Sequence, residues 1–185
     1  MFRYGVVEAY RIVWRDVALP HALAAVKGYR LPFGDWRGPF AAEVYRLPYA
    51  YCYRCPVDMA YPACGVACAD LLDDAFKNYV EADAVAAGLA EPVLGEGGFV
   101  TPPKEYFPKI KATCEKHGIL FIADEVQSGF GRTGKLFAIE HWGVEPDIMT
   151  TAKALAAGYP LSGITGRADV MDAPHVGGLG GTYGG

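Results

Sequence analysis

The chain of 185 residues lacks several features that would each have set its class. No apolar run approaches the ~20 residues that span a bilayer. The start, "MFRYGVVEAYRIVWRD", has no basic leader, apolar core or cleavage site, so no signal peptide is read there. Net charge is −4, with no basic excess to neutralise a phosphate backbone, which argues against nucleic-acid partners. Internal repeats and low-complexity tracts are missing as well. The five cysteines are an odd count without a secretion signal, so free thiols in a reducing cytoplasm are expected. Hydrophobic residues make up 52% and charged residues 21%, which is the composition of a folded globular chain rather than a disordered one.

Residues 1–63 give little periodic signal beyond a weak helical pattern near 5–15. From residue 64 the pattern sharpens. "CGVACADLLDDAFKNYV" places Leu71, Leu72, Phe76, Tyr79 and Val80 near helical spacing. "AAGLAEPVLG" reads as a short strand. "TPPKEYFPKIKATCEKHG" reads as a helix with Thr101 as its cap and Gly118 past its end. Pro108 falls inside it, where it costs one backbone bond or marks the true first turn. "ILFIADEV" is continuously apolar up to its acids, as expected of a strand buried on both faces of a parallel sheet. "KLFAIEHWG" reads as a short helix, and "PDIMTTA" and "LSGITGR" as strands. The order of elements predicts an α/β fold with a mainly parallel sheet.

In open α/β sheets ligands bind beyond the carboxyl ends of the strands. Three strands deliver charge there: Glu91 and Glu96 after the first, Asp124, Glu125 and Gln127 after the second, and Lys153 after the third. One crossover brings Asp124 and Lys153 to the same edge. Two readings stand. The pair is a buried ion pair, or it is a cofactor site. Pyridoxal phosphate needs a lysine to form an imine and an acid to keep its pyridine nitrogen protonated. Burial would help the lysine lose its proton. The small residues around Lys153 would leave room for a flat ring and a substrate.

Long segments then carry a resemblance. "EPVLGEGGFVTPP", "GILFIADEVQSGFGRTGKLFAIEHWGVEPDI", "TAKALAAGYPLSG" and "GGLGGTYGG" resemble the class III pyridoxal-phosphate-dependent aminotransferases, most nearly the bacterial 4-aminobutyrate aminotransferases. "GPFAAEVYRLPYAYCYRC" and "YPACGVACAD" resemble the middle of the same proteins. The resemblance runs over 38–185 and leaves 1–37 poorly matched. It implies part of the large domain of a type I pyridoxal 5'-phosphate-dependent transferase. It also implies transfer of an amino group from an ω-amino acid to a 2-oxo acid, with 4-aminobutyrate and 2-oxoglutarate as the expected pair. Other donors it allows are ornithine, acetylornithine or a diamine.

By position, the resemblance makes Lys153 the residue that holds the cofactor and moves the proton, and Asp124 the acid on the pyridine nitrogen. Val126 matches the residue packed on one ring face, Gln127 the amide reaching the ring 3-oxygen, and Glu91 and Glu96 carboxylates on the substrate side. Thr182 matches a threonine that binds the cofactor phosphate of the neighbouring subunit, which implies a homodimer.

The sequence also departs from the family. Ala156 and Ala157 stand where the family has two glycines, and alanine is strained if either site needs a positive φ. The upstream glycine-rich phosphate loop and the aromatic-His-Gly motif are not found, His21 after Pro20 being a poor match. The end "GGLGGTYGG" closes no helix or strand and is expected to run on into a longer protein, so this piece by itself is expected to show little or no turnover.

Two further patterns stand outside the resemblance or compete with it. "GFGRTGK" follows a strand as a P-loop does, but Leu136 stands where Ser or Thr must hold Mg²⁺, so a turn is the expected reading. Cys52, Cys55, Cys64 and Cys68 have spacings open to zinc or an iron–sulfur cluster and would make a noncatalytic metal-binding or interaction fragment. The family resemblance explains the same stretch without a metal, so none is expected. The second pair, Cys64 and Cys68, is expected on one helix.

Overall fold

The fold comes from a computed structural model, which describes residues 44–175 and, for the backbone alone, the strand at 6–10. Six strands form one sheet in the order β2-β1-β3-β4-β5-β6. They are β1 (Val6–Tyr10), β2 (Val44–Pro48), β3 (Ala87–Ala90), β4 (Leu120–Asp124), β5 (Ile148–Thr151) and β6 (Gly163–Gly166). The centre, β3-β4-β5, is parallel. The flanks, β2-β1, β1-β3 and β5-β6, pair antiparallel. This is the expected α/β fold, with its parallel strands where the charged ends fall.

Both faces of the centre are covered. On one, Phe121 and Ala123 join a core with α1 (Leu71–Asn78) and α2 (Tyr106–Lys116), through Leu72, Ala75, Phe107 and Ile110. On the other, Leu89, Ile122 and Ile148 pack together. The alternation along β4 follows from the period of two in a strand. Burying β4 on both faces is why its sequence is uninterrupted by polar residues until Asp124.

Local departures from the expected elements have physical causes. Val6–Tyr10 is a strand, not part of a helix over 5–15; it is hydrogen-bonded between β2 and β3, and this pairing overrides a weak local preference. Residues 11–15 lie outside the described residues. The helix expected from Cys64 begins only at Leu71. Gly65 and Val66 both take positive φ, which breaks any regular turn. Cys64 and Cys68 therefore do not share a helix; Cys68 lies in the 3₁₀ turn Ala67–Ala69.

Helix α2 is not capped by Thr101. Each residue ahead of Pro102 and Pro103 is pushed away from the helical region, so the helix waits until Tyr106, with Glu105 at its cap. Pro108 then falls in the first turn, where its missing N–H has no intrahelical partner to lose. Gly118 has φ +66, as expected one residue past the cap. His117 pairs with Asp73 at 3.1 Å and meets the Phe76 ring edge-on at 5.0 Å, tying α2 to α1. Among the described residues no helix is long and apolar enough to cross a membrane.

Candidate active site at the strand ends

Asp124 ends β4, and Lys153 lies two residues past the end of the adjacent parallel strand β5. Asp124 closes β4 opposite Thr150 of β5. It is 3% exposed, and its Oδ1 accepts hydrogen bonds from the Thr150 hydroxyl and the Val126 N–H, both at 3.1 Å. Three residues beyond Thr150 the chain turns at Lys153, whose Nζ donates to Gln127 Oε1 at 2.8 Å. The lysine opens the 3₁₀ turn Lys153–Ala156 with φ +44. A left-handed backbone costs a side-chain-bearing residue ~1–2 kcal/mol, and such outliers gather at functional sites. Ala157 repeats the strain at φ +50, so one of the two alanines does stand where glycine would be at ease.

The loop after β3 supplies the third wall. Glu91 Oε2 accepts the Gly95 N–H at 2.8 Å, and a bridge between Leu94 and Val100 closes the loop. A Cβ on Gly95 would sit 2.8 Å from the Gln127 carboxamide, so glycine is what lets this loop lie against the amide that holds Lys153. Val126 and Gln127 are half-buried beside Asp124. Glu96 is not drawn in. Its side chain is exposed and makes no hydrogen bond or ion pair among the described residues. Thr182 lies outside the described residues. Lys153 is itself exposed, so the burial invoked to neutralise its amine is not supplied by the described residues.

Sequence reasoning gave two residues no role. Glu125 is fully buried next to Asp124 but points elsewhere in function: it accepts from Ser128 Oγ at 2.6 Å and the Ile139 N–H at 2.7 Å, fixing the loop that carries Gln127. Tyr49, also buried, donates to the Glu91 carbonyl at 2.8 Å and sets the start of the Gly95 loop. Two adjacent acids in "ADEV" were the only signal for Glu125, and Tyr49 had none. Among the described residues no group of three or more His, Cys, Asp or Glu is arranged to hold a metal ion.

The arrangement offers an amine, a buried carboxylate, an amide and a glycine-floored loop at one edge of a parallel sheet. That donor set fits pyridoxal phosphate, whose aldehyde seeks the amine and whose ring nitrogen seeks an acid. An α/β chain with this pair at neighbouring strand ends has the makings of a cofactor-dependent transferase. Residues 22–185 match aminotransferase class-III, and the chain belongs to that family. It is 47% identical over 160 residues to a probable 4-aminobutyrate aminotransferase of Bacillus subtilis, covering 86% of this chain and 36% of the relative. It is 49% identical over 132 residues to a leucine/methionine racemase of Thermococcus litoralis, covering 71% and 30%. Among solved structures, a thermostable (S)-enantioselective omega-transaminase from Thermomicrobium roseum superposes with TM-score 0.68 at 36% identity, over 82% of this chain and 34% of that one. The chain thus spans about a third of the length of the curated relatives it matches.

Proposed function

We propose that the chain carries part of the active site of a pyridoxal-phosphate-dependent transaminase. The donor would be an ω-amino acid, 4-aminobutyrate first, and the acceptor 2-oxoglutarate. The reading rests on one observation above the others: a lysine held in left-handed backbone, with its amine on the Gln127 amide, next to the buried Asp124. When bound, the cofactor supplies an electron sink that weakens the C–H bond beside the substrate nitrogen. Lys153 Nζ would hold the cofactor and carry the proton between carbon positions. Asp124 would keep the ring nitrogen protonated, with Thr150 and the Val126 N–H fixing its orientation. Val126 would pack on the ring, Gln127 would meet its 3-oxygen, Glu91 would face the substrate, and Glu96, exposed on the loop after β3, would reach it from the rim of the site. Thr182 would bind the phosphate held by a second copy in a homodimer. The reducing cytoplasm remains our reading for its location.

Incubation with pyridoxal phosphate, borohydride reduction and peptide mapping test this directly. The label is expected on Lys153 and is expected to vanish in Lys153→Ala. A label spread evenly over exposed lysines such as Lys104 would sink the reading. Because the chain spans about a third of its relatives, labelling is the readout for the 185 residues, of which little or no turnover is expected. Turnover is the readout for a chain of the relatives' full length.

The racemase relative favours a second reading, since the same lysine could return a proton to either face of an amino acid. In the full-length protein, loss of optical activity from leucine without amino transfer to 2-oxoglutarate would favour it. Formation of glutamate from 4-aminobutyrate would favour the first. Glutamate formed from ornithine or a diamine in preference to 4-aminobutyrate would keep the reaction and change the donor.

A further inference from the structure

Away from the strand ends, four of the five thiols converge. Cys52, Cys55, Cys64 and Cys68 line one shallow pocket, with Met59 and Pro103 among its other walls. All four are free thiols, graded from the exposed Cys52 through the half-buried Cys55 and Cys64 to the buried Cys68. Cys52 opens the 3₁₀ turn Cys52–Arg54 and Cys55 is its C-terminal cap. The turn is closed by the Arg54 N–H donating to the Tyr51 carbonyl at 2.9 Å. A 3₁₀ helix rises ~2.0 Å per residue and eclipses side chains three apart. That puts the two Cα atoms ~6 Å from each other, inside the ~4.4–6.8 Å a disulfide spans. An ideal turn of this kind therefore brings the pair within the Cα range that a disulfide spans, on one side of the turn.

The neighbourhood is shared electrostatically too. Burial first, then Cys64 and Cys55, push the Cys52 thiol above its ordinary 9.0. Burial first, then Cys55, Cys52 and Cys64, push Cys68 up to about 11. Both shifts keep these thiols protonated and uncharged, so exposure rather than acidity decides which sulfur reacts first.

We propose that Cys52 and Cys55 form a dithiol–disulfide site that exchanges with a small-molecule thiol–disulfide couple of the glutathione class. The Cys52 thiolate attacks one sulfur of the oxidised couple, forming a mixed disulfide and expelling one thiolate, which takes up the proton Cys52 released. The Cys55 thiolate then attacks the Cys52 sulfur and expels the second small thiol, which takes up the proton Cys55 released. Two cysteine thiols are oxidised to one disulfide, and one small disulfide is reduced to two thiols. Exposure makes Cys52 the point of entry, and proximity makes Cys55 the resolving group. The site sits against Pro103 and is joined to the approach of α2 through the Tyr61 hydroxyl, which donates to Glu105 at 3.3 Å.

The test exposes the full chain to graded ratios of reduced to oxidised glutathione, quenches with acid, alkylates the remaining free thiols in denaturant, and maps peptides by mass. A single disulfide joining Cys52 to Cys55 is expected, rising with the oxidised share, while Cys68 and Cys114 stay alkylatable. In Cys55→Ser the mixed disulfide on Cys52 is expected to accumulate at least tenfold over the unchanged chain. Alkylation of Cys52 at every ratio would overturn the site. So would a stable mixed disulfide on the unchanged chain, or Cys52 joined to Cys64. Mapping the unchanged chain needs no variant to fold, so the pairing is decided even if Cys55→Ser fails.

Discussion

The two ends of the same parallel strands treat their lysines in opposite ways. At the amino end of β5, Asp147 is 3% exposed and accepts from Lys111 Nζ at 2.7 Å, Arg167 Nη1 at 2.8 Å and the Phe121 N–H at 2.8 Å. One acid there staples α2, the start of β4 and the segment after β6. At the carboxyl end Lys153 donates to a neutral amide and makes no ion pair among the described residues. Its backbone, and that of Ala157, is left-handed. The amino end is built for hold. The carboxyl end keeps an amine on a partner that is easily exchanged, which is what the proposed bond to an incoming aldehyde would need.

Breaking the amino end gives the largest effect. Asp147→Ala removes the acceptor from a mostly buried lysine and a buried N–H, and is expected to cost ~3–5 kcal/mol in urea unfolding. The yield of pyridoxyl label on Lys153, per folded molecule, is expected not to change. A loss of labelling at constant folding would show that the two ends are not separable. The same acid sets an acid-side dependence. Burial pushes its carboxyl up, but the bonds from Lys111, Phe121 and Arg167 outweigh this and hold it below its ordinary 3.8. A depressed acid contributes its stability fully above the unfolded value and loses it as the pH falls through the folded value. Stability is therefore expected to drop below about pH 3.8, and less steeply in Asp147→Ala.

Glu125 is a second fixed acid, and it bounds the comparison because it lies at the carboxyl end. Glu125→Ala strands the Ile139 N–H and the Ser128 hydroxyl in a fully buried site, for an expected ~2–3 kcal/mol. Unlike Asp147→Ala, it should also lower the Lys153 label, because the loop it fixes carries Gln127. Equal labelling in the two variants would remove Glu125 from any role in positioning.

The carboxyl end was largely legible in the sequence because its chemistry is written in residue type. A lone lysine after an apolar strand, and acids at the ends of two others, are visible without coordinates. The right-handed crossover rule then brings Asp124 and Lys153 together. What was not legible is contact that no residue type announces. Nothing in "EPVLG" says that Gly95 abuts Gln127, and nothing near Tyr49 says that its hydroxyl reaches the Glu91 carbonyl. The amino-end staple was missed for the same reason: Lys111, Asp147 and Arg167 are far apart in sequence and converge only once the sheet order is known. The strand at Val6–Tyr10 was missed because its partners, not its own pattern, decide its conformation.

Gly95→Ala probes the carboxyl end with little disturbance to the core. The new Cβ meets a side-chain amide rather than backbone, so Gln127 can swing aside for ~1 kcal/mol or less. Swinging aside breaks its hydrogen bond to Lys153 Nζ. Labelling of Lys153 is expected to fall several-fold while the urea midpoint hardly moves. A large loss of stability with unchanged labelling would mean the loop, not the amide, gives way.

Ala157→Gly has the smallest expected effect and the opposite sign. Alanine at φ +50 carries ~1–2 kcal/mol of left-handed strain. Glycine relieves it but brings ~0.5–1 kcal/mol of extra unfolded-state entropy, leaving a net gain of ~0.5–1 kcal/mol, seen as a raised unfolding midpoint. The informative outcome is what labelling does alongside. Ala157 follows directly on the 3₁₀ turn that Lys153 opens, so a freer residue there could loosen the turn that sets the lysine. Higher stability with unchanged labelling would mean that the strain at Ala157 is incidental to how Lys153 is held. Higher stability with weaker labelling would mean that the stiffness of alanine helps to aim the amine, and that the carboxyl end gives up stability for orientation where the amino end does not.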